Sequence, residues 1–284
     1  MSELPCTNDP ARHPIRDDIL FDDPLRFVAI ELTEAGSFPR ERPLASTEGE
    51  LSTDEWIALF DELYSLGCLE LTIAGGEAFR RADWFRLSKA VIERDMELSI
   101  ITRGLGVTGQ DIDRLRQLAL SGLGIRLEGA NRNSFRKATG GDGFEEALAF
   151  IERCRSMLDV PLSIITSFSQ ANFDDVDDFI ELLAGLDVLW QVQIAEVDDG
   201  AFLTAEQYRR LFDNLAEAVL QHRDGLDIAM MDDLGYFSLK SRYAEFPKEW
   251  AGCQGGMKLA GIRSNGDLVG CLSLPANMVE VNLR

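Results

Sequence analysis

The stretch Leu69–Ala78, LELTIAGGEA, decides the architecture. Its first five residues alternate apolar and polar side chains, as a strand buried on one face requires. Ala74-Gly75-Gly76-Glu77 then breaks the strand with a turn, and an amphipathic helix follows over Trp84–Arg94. The same strand–helix rhythm extends outward on both sides. Upstream, Arg26–Thr33 (RFVAIELT) reads as a strand. Thr53–Leu66 reads as a helix, with Ser52-Thr53-Asp54-Glu55 supplying the cap and Trp56, Leu59, Phe60 and Leu63 on one face. Downstream, strands are expected at Glu97–Ile101, Gly124–Leu127, Pro161–Thr166 and Val188–Ile194. The helices between and after them fall at Gln110–Leu120, Phe144–Met157, Phe173–Leu186 and Ala205–His222. Six strand–helix units imply parallel βαβ connections. A doubly wound sheet and a partly closed barrel both satisfy that count. From Leu226 to Arg284 the long helices give way to Gly-rich and aromatic pieces, so this part is expected to be a small appended module.

Composition narrows the class. Of 284 residues, 45% are hydrophobic, enough for a real core, which excludes a disordered chain. Lys and Arg number 28 against 49 Asp and Glu, a formal charge of −21. That field repels phosphate backbones and anionic lipid, so neither nucleic acid nor a membrane is expected as a partner. A basic peptide or protein would be attracted. No apolar run is long enough for a membrane span, and the polar arm Met1–Leu25 has no apolar signal segment. A cytoplasmic location is the resulting expectation. Five cysteines with no close pair do not make a secreted disulfide framework.

Candidate chemistry sits just past the strands, where α/β folds bind ligands. Gly75 and Gly76 would let a ligand approach the backbone, and Glu77 could accept from an ammonium group. The alternative is a tight strand–helix turn with a solvated Glu. Thr102-Arg103-Gly104, Glu128-Gly129-Ala130 and Asn172 occupy equivalent places, and each could equally be turn chemistry. Ser264-Asn265-Gly266-Asp267 signals a hairpin that would bring Cys253 near Cys271. Two thiolates do not complete a four-ligand metal site, and two buried reduced cysteines fit the spacing as well. There is no Walker phosphate loop, no H-E-x-x-H and no C-x-x-C, and His13 and His222 are the only histidines.

Taken together, these residues resemble the radical S-adenosylmethionine (radical SAM) superfamily, in its branch with a C-terminal SPASM-type extension. The matching pieces run in order: Glu31-Leu32-Thr33, Gly75-Gly76-Glu77-Ala78, Thr102-Arg103-Gly104, Arg126-Leu127-Glu128-Gly129-Ala130, Gly140 to Phe144, Asn172, and Cys253 with Gly266 and Cys271. The resemblance implies an α/β fold, a partial (β/α)6 TIM-like barrel. It also implies a short Cys-bearing SPASM/twitch-like extension, with the barrel over 26–225 and a truncated extension over 226–284. It implies Gly75, Gly76, Glu77, Glu128 and Asn172 as cofactor-binding positions, and Cys253 and Cys271 as metal ligands of an auxiliary cluster.

The departures from the family pattern carry more weight. The family's C-x3-C-x2-C loop follows the first strand, and alignment on Glu31-Leu32-Thr33 puts Gly36, Arg40 and Pro43 at its three cysteines. A 4Fe–4S cluster needs three thiolates there, and glycine, arginine and proline supply none. Arg103, Arg126 and Glu128 replace the family's Asn, Ser and Asp. Ion pairs of Arg40, Arg103 and Arg126 with Glu77 and Glu128 would fill the barrel mouth; the alternative is that these arginines are simply exposed. The expectation is a catalytically degenerate member that acts as a peptide- or protein-binding partner or scaffold in maturation, with no radical-site cluster. The alternative is a working enzyme that binds S-adenosylmethionine or an atypical iron–sulfur cluster.

Overall fold

The computed structural model describes residues 25–38, 49–195, 202–221, 226–230, 253–274 and 277–284. Strand and helix alternate as the periodicity requires. The strands are β1 (Phe27–Ile30), β2 (Glu70–Ile73), β3 (Glu97–Thr102), β4 (Gly122–Arg126), β5 (Leu162–Phe168) and β6 (Leu189–Ile194). Helices α1 (Thr53–Ser65), α2 (Trp84–Ile92), α3 (Gly109–Leu115), α4 (Arg132–Thr139), α5 (Phe144–Met157), α6 (Val176–Leu183) and α7 (Ala205–Gln221) lie between or after them. Every neighbouring pair from β1 to β6 is parallel.

Two expectations need correcting in length. Over residues 173–186 the helix begins only at Val176, because Asn172 folds the preceding residues into a turn: its Oδ1 accepts from Ser169 N–H at 2.7 Å. Over residues 110–120 it ends at Leu115. One helix was missed. α4 is short and polar, but Asn131 caps it by accepting from Asn133 N–H and Ser134 N–H, and Gly140, at φ 78°, ends it.

The sheet is also wider than six strands. β7 (Asp227–Met230) pairs parallel with β6, and β8 (Leu259–Ile262) pairs parallel with β1 on the other side. β9 (Asp267–Val269) and β10 (Val281–Asn282) then add antiparallel. Among the described residues the order is β10-β9-β8-β1-β2-β3-β4-β5-β6-β7, ten strands in one sheet. The expected hairpin joins β8 to β9, with Gly266 at φ 92° and Asn265 Oδ1 accepting from Asp267 N–H at 3.0 Å. Both β7 and β8 fall in the stretch assigned from sequence to the appended module.

The core is one-sided. Ile30, Leu71, Leu98, Ile100, Leu123, Ile125, Trp190 and Val192 are all fully buried, packed among Trp56, Phe60, Leu87, Phe150 and Phe179 of the helices. Since side chains alternate along a strand, the intervening residues share the other face. These include Ala29, Thr72, Ser99, Ile101, Ser163, Gln191 and Gln193, all half-buried, with Gly124, Ile165 and Ser167 buried among them, and they form the inner face of the sheet. Among the described residues no helix is long and apolar enough to cross a membrane.

Candidate functional site

The carboxyl ends of β1 to β5 meet in a layer of charged and polar side chains. Glu77, just past β2, is fully buried. It is therefore not the solvated glutamate of a plain turn. Its Oε1 accepts from Thr102 Oγ1 at 2.6 Å and its Oε2 from Arg103 N–H at 3.1 Å, both at the end of β3. Glu128, past β4, is 5% exposed and gathers the other charges. Its Oε1 accepts from Arg126 Nε at 3.0 Å and from Arg103 Nη1 at 3.4 Å, with Arg126 Nη2 paired to it at 2.8 Å, and its Oε2 accepts from Ser167 N–H at 2.9 Å. The Arg103 guanidinium also stacks over Phe38, 5.4 Å from the ring centre.

Of the expected mouth pairs, Arg103–Glu128 and Arg126–Glu128 are therefore present. Arg40 and Pro43 lie outside the described residues, and Gly36 lies within them. Burial makes this network costly to disturb: removing one partner of a buried pair leaves an uncompensated charge.

The glycines and Asn172 have structural reasons of their own. Gly76, at φ 55°, has no room for a side chain, because a Cβ would fall 2.0 Å from Thr33 O. A Cβ on Gly129 would meet Phe135 N at 2.1 Å, so α4 sits directly on that glycine. Gly75 is looser, its Cβ position lying 3.2 Å from Glu31 Cγ. Asn172 is buried and donates both amide hydrogens, to Glu128 O at 2.8 Å and Ser167 O at 3.1 Å. It ties the β5 turn to the Glu128 backbone.

Several residues at this end have no motif to announce them. Arg81 donates to Leu32 O at 3.0 Å, to Leu51 O at 2.8 Å and to Asp83 at 2.7 Å, clamping the end of β1 to the start of α1. Glu50 accepts from Thr33 Oγ1 and Glu34 N–H, both at 2.7 Å. Arg263, past β8, is 5% exposed, lies 3.9 Å from Glu31 Oε2 and donates to Leu274 O at 2.9 Å. Only Arg263 sits where position alone could have flagged it, one residue beyond a strand; Arg81 and Glu50 lie in the loops between strand and helix.

Four of the five cysteines lie among the described residues, and Cys6 lies outside them. Cys68 and Cys154 are buried, and burial pushes the Cys154 thiol up to about 12. Cys253 and Cys271 are close, as the hairpin predicts: Cys253 Sγ and Cys271 Cβ both lie within 3.5 Å of where a Gly255 side chain would begin. Among the described residues no group of three or more His, Cys, Asp or Glu is placed to hold a metal. On the alignment at Glu31-Leu32-Thr33 the donor set does not fit a cluster at the radical site, because Gly36, Arg40 and Pro43 offer no thiolate. At the extension, two thiols are half of a four-ligand set. S-adenosylmethionine has Gly75 as an exposed backbone position and Glu77 as an acceptor, although both Glu77 oxygens already accept bonds.

Comparison with known proteins gives one answer for the fold. The description of the radical SAM superfamily matches residues 37–183. The AdoMet-dependent heme synthase of Methanosarcina barkeri is 26% identical over 245 residues, which are 80% of this chain and 69% of that protein. The PqqA peptide cyclase of Ruegeria pomeroyi is 27% identical over 216 residues, which are 75% of this chain but 56% of the cyclase. Streptococcus suis SuiB bound to the precursor peptide SuiA superposes with a TM-score of 0.70 at 16% identity, covering 93% of this chain and 64% of SuiB. The anSMEcpe structure with bound AdoMet and Cp18Cys peptide gives 0.63 at 13% identity, covering 88% of this chain and 74% of that one.

Proposed function

Because this chain belongs to the radical SAM superfamily and yet has Gly36, Arg40 and Pro43 where the family pattern places cysteines, we propose that it is a non-radical member. In this reading it binds a peptide or a peptide-modifying protein and serves maturation as a partner or scaffold. The observation that carries the reading is the donor chemistry. An iron of a 4Fe–4S cluster needs a thiolate, and an arginine is a permanent cation that repels iron. The buried Arg103–Glu128–Arg126 network supports it, since ion pairs now occupy the mouth. The relatives' names supply the peptide part: a PqqA peptide cyclase, and a SuiB structure bound to a precursor peptide.

Anaerobic reconstitution with iron and sulfide tests the non-radical part. The expected result is no absorbance band and no stoichiometric iron. About four irons per chain, retained after Cys253 and Cys271 are replaced by alanine, overturn it. Purification from the native host tests the partner part, and recovery of neither a short peptide nor a peptide-modifying enzyme counts against it.

A second reading has its own support. Gly75, Gly76 and Glu77 match the family turn after β2, and a working enzyme could use them to hold S-adenosylmethionine for non-radical chemistry. Titration calorimetry with S-adenosylmethionine separates the two. Tight binding that Glu77→Gln abolishes favours the enzyme.

A further inference from the structure

Arg126 ends β4 on the inner face, where the family pattern has a serine. Its Nε donates to Glu128 Oε1 at 3.0 Å, its Nη2 lies 2.8 Å from the same oxygen as an ion pair, and Nη2 donates to Ser167 Oγ at 3.3 Å. Its Nη1 has no partner among the described residues, and the side chain is 35% exposed. Glu128 is held in place by donors on both oxygens, so it fixes the plane of the guanidinium from behind. A guanidinium anchored at Nε and Nη2, with its Nη1 hydrogens open, is organised in advance to donate to a carboxylate.

The neighbouring strands extend the surface. Glu128, Ser167 and Gln193 lie in register or nearly so across β4, β5 and β6. Gln193 Nε2 donates to Ser167 Oγ at 2.8 Å, while its carbonyl oxygen accepts from nothing among the described residues. That oxygen can take a peptide N–H. The chain as a whole carries −21, a field that rejects multiply charged anions and draws cations. One open guanidinium inside such a field suits a single carboxylate on a positively charged carrier.

The geometry points to Arg126 as the receptor for one carboxylate of an otherwise cationic peptide, seated on the inner face across β4 to β6. This rests on the peptide reading above and adds the chemistry of the ligand. The probe is a fluorescent lysine-rich peptide in three forms: free C-terminal acid, C-terminal amide, and amide with one internal glutamate. By anisotropy at low salt, at least one acid form binds about tenfold tighter than the plain amide, the worth of a charge-assisted hydrogen-bond pair. The tighter acid form tells a chain terminus from a side chain.

In Arg126→Gln that gap closes to about twofold or less, and Arg126→Lys, which keeps the charge without the fork, gives an intermediate gap. Equal binding of acid and amide by the wild type overturns the assignment, as does a gap that survives both variants. If none of the three peptides binds, the peptide reading fails. Nitrogen-15 spectra of the arginine side chains then test the receptor alone: a selective shift of Arg126 with acetate supports it, while no shift, or a larger one with inorganic phosphate, overturns it. Binding of S-adenosylmethionine that disappears in Arg126→Gln assigns the guanidinium to that ligand's carboxylate instead, and also overturns the proposal.

Discussion

Ile100 and Ile101 are neighbours on β3 with opposite fates. Ile100 is fully buried against the helices, whereas Ile101 is half-buried on the inner face, beside Ser99 and Arg103. The contrast holds for the whole sheet. The helix side is a continuous apolar layer of Leu, Ile, Phe and Trp, and its sequence is dictated by packing. The inner side carries small residues, amides, hydroxyls and charges, with Glu77, Arg103, Arg126 and Glu128 at its upper end. One face makes the fold and the other is free to carry function. A residue swap that is ruinous on the first face should be mild on the second.

The sharpest way to break this comparison is a matched pair of truncations. Ile100→Ala should cost about 4 kcal/mol and Ile101→Ala no more than about 1.5 kcal/mol, because only the first leaves a sealed cavity. Denaturant unfolding measures both, and equal costs would show that the inner face is packed like the core. Next comes the charged layer. Glu128→Gln should cost about 3 kcal/mol, since it strands two guanidiniums and weakens the bond to Ser167 N–H. A loss under about 1 kcal/mol would mean that the network is solvated rather than buried. Gly76→Ala should cost about 2 kcal/mol or more, because φ is 55° and Thr33 O occupies the Cβ site. A neutral result would mean that the turn can relax away from β1.

The smallest effect concerns the lower rim of the inner face, where Glu70 and Glu97 are register partners on β2 and β3. Burial, and then repulsion from Glu97, raises the Glu70 carboxyl above its ordinary value. A carboxyl raised in the folded state holds its proton longer there than in the unfolded chain. Its contribution is complete below the unfolded value, about 4.3, and is lost as pH climbs through the raised one. Glu70→Gln should therefore be more stable than the wild type near pH 7 and no more stable near pH 3. Thermal melts at the two pH values decide it, and an equal gain at both would point to packing instead.

Much of this was legible in the residues. The α1 cap is one case: Ser52 Oγ accepts from Glu55 N–H and Glu55 returns the bond to Ser52 N–H, as Ser52-Thr53-Asp54-Glu55 indicates. The β8–β9 hairpin and the proximity of Cys253 to Cys271 were likewise readable from local chemistry. α4 was hidden because its sequence, RNSFRKAT, has almost no apolar face, and its place is fixed by the Asn131 cap and by Gly129 beneath it. The roles of Arg81, Glu50 and Arg263 were hidden for a different reason. Their partners are backbone carbonyls, hydroxyls and carboxylates brought close only when separate loops meet.

The sequence by itself determined the alternation of strands and helices, the burial of one face of each strand, and the lack of thiolates at Gly36, Arg40 and Pro43. Those are local properties of side-chain type and period, and no packing can change them. The tertiary structure alone decided that β8, more than 220 residues along the chain from β1, completes the sheet beside it. The pairing of Arg103 and Arg126 with the mouth acids was expected from sequence, but that both meet the same oxygen, Oε1 of Glu128, was not. The β1–β8 pairing and the crossing of Arg103 to Glu128 are long-range, and such partners are chosen by how the layers close.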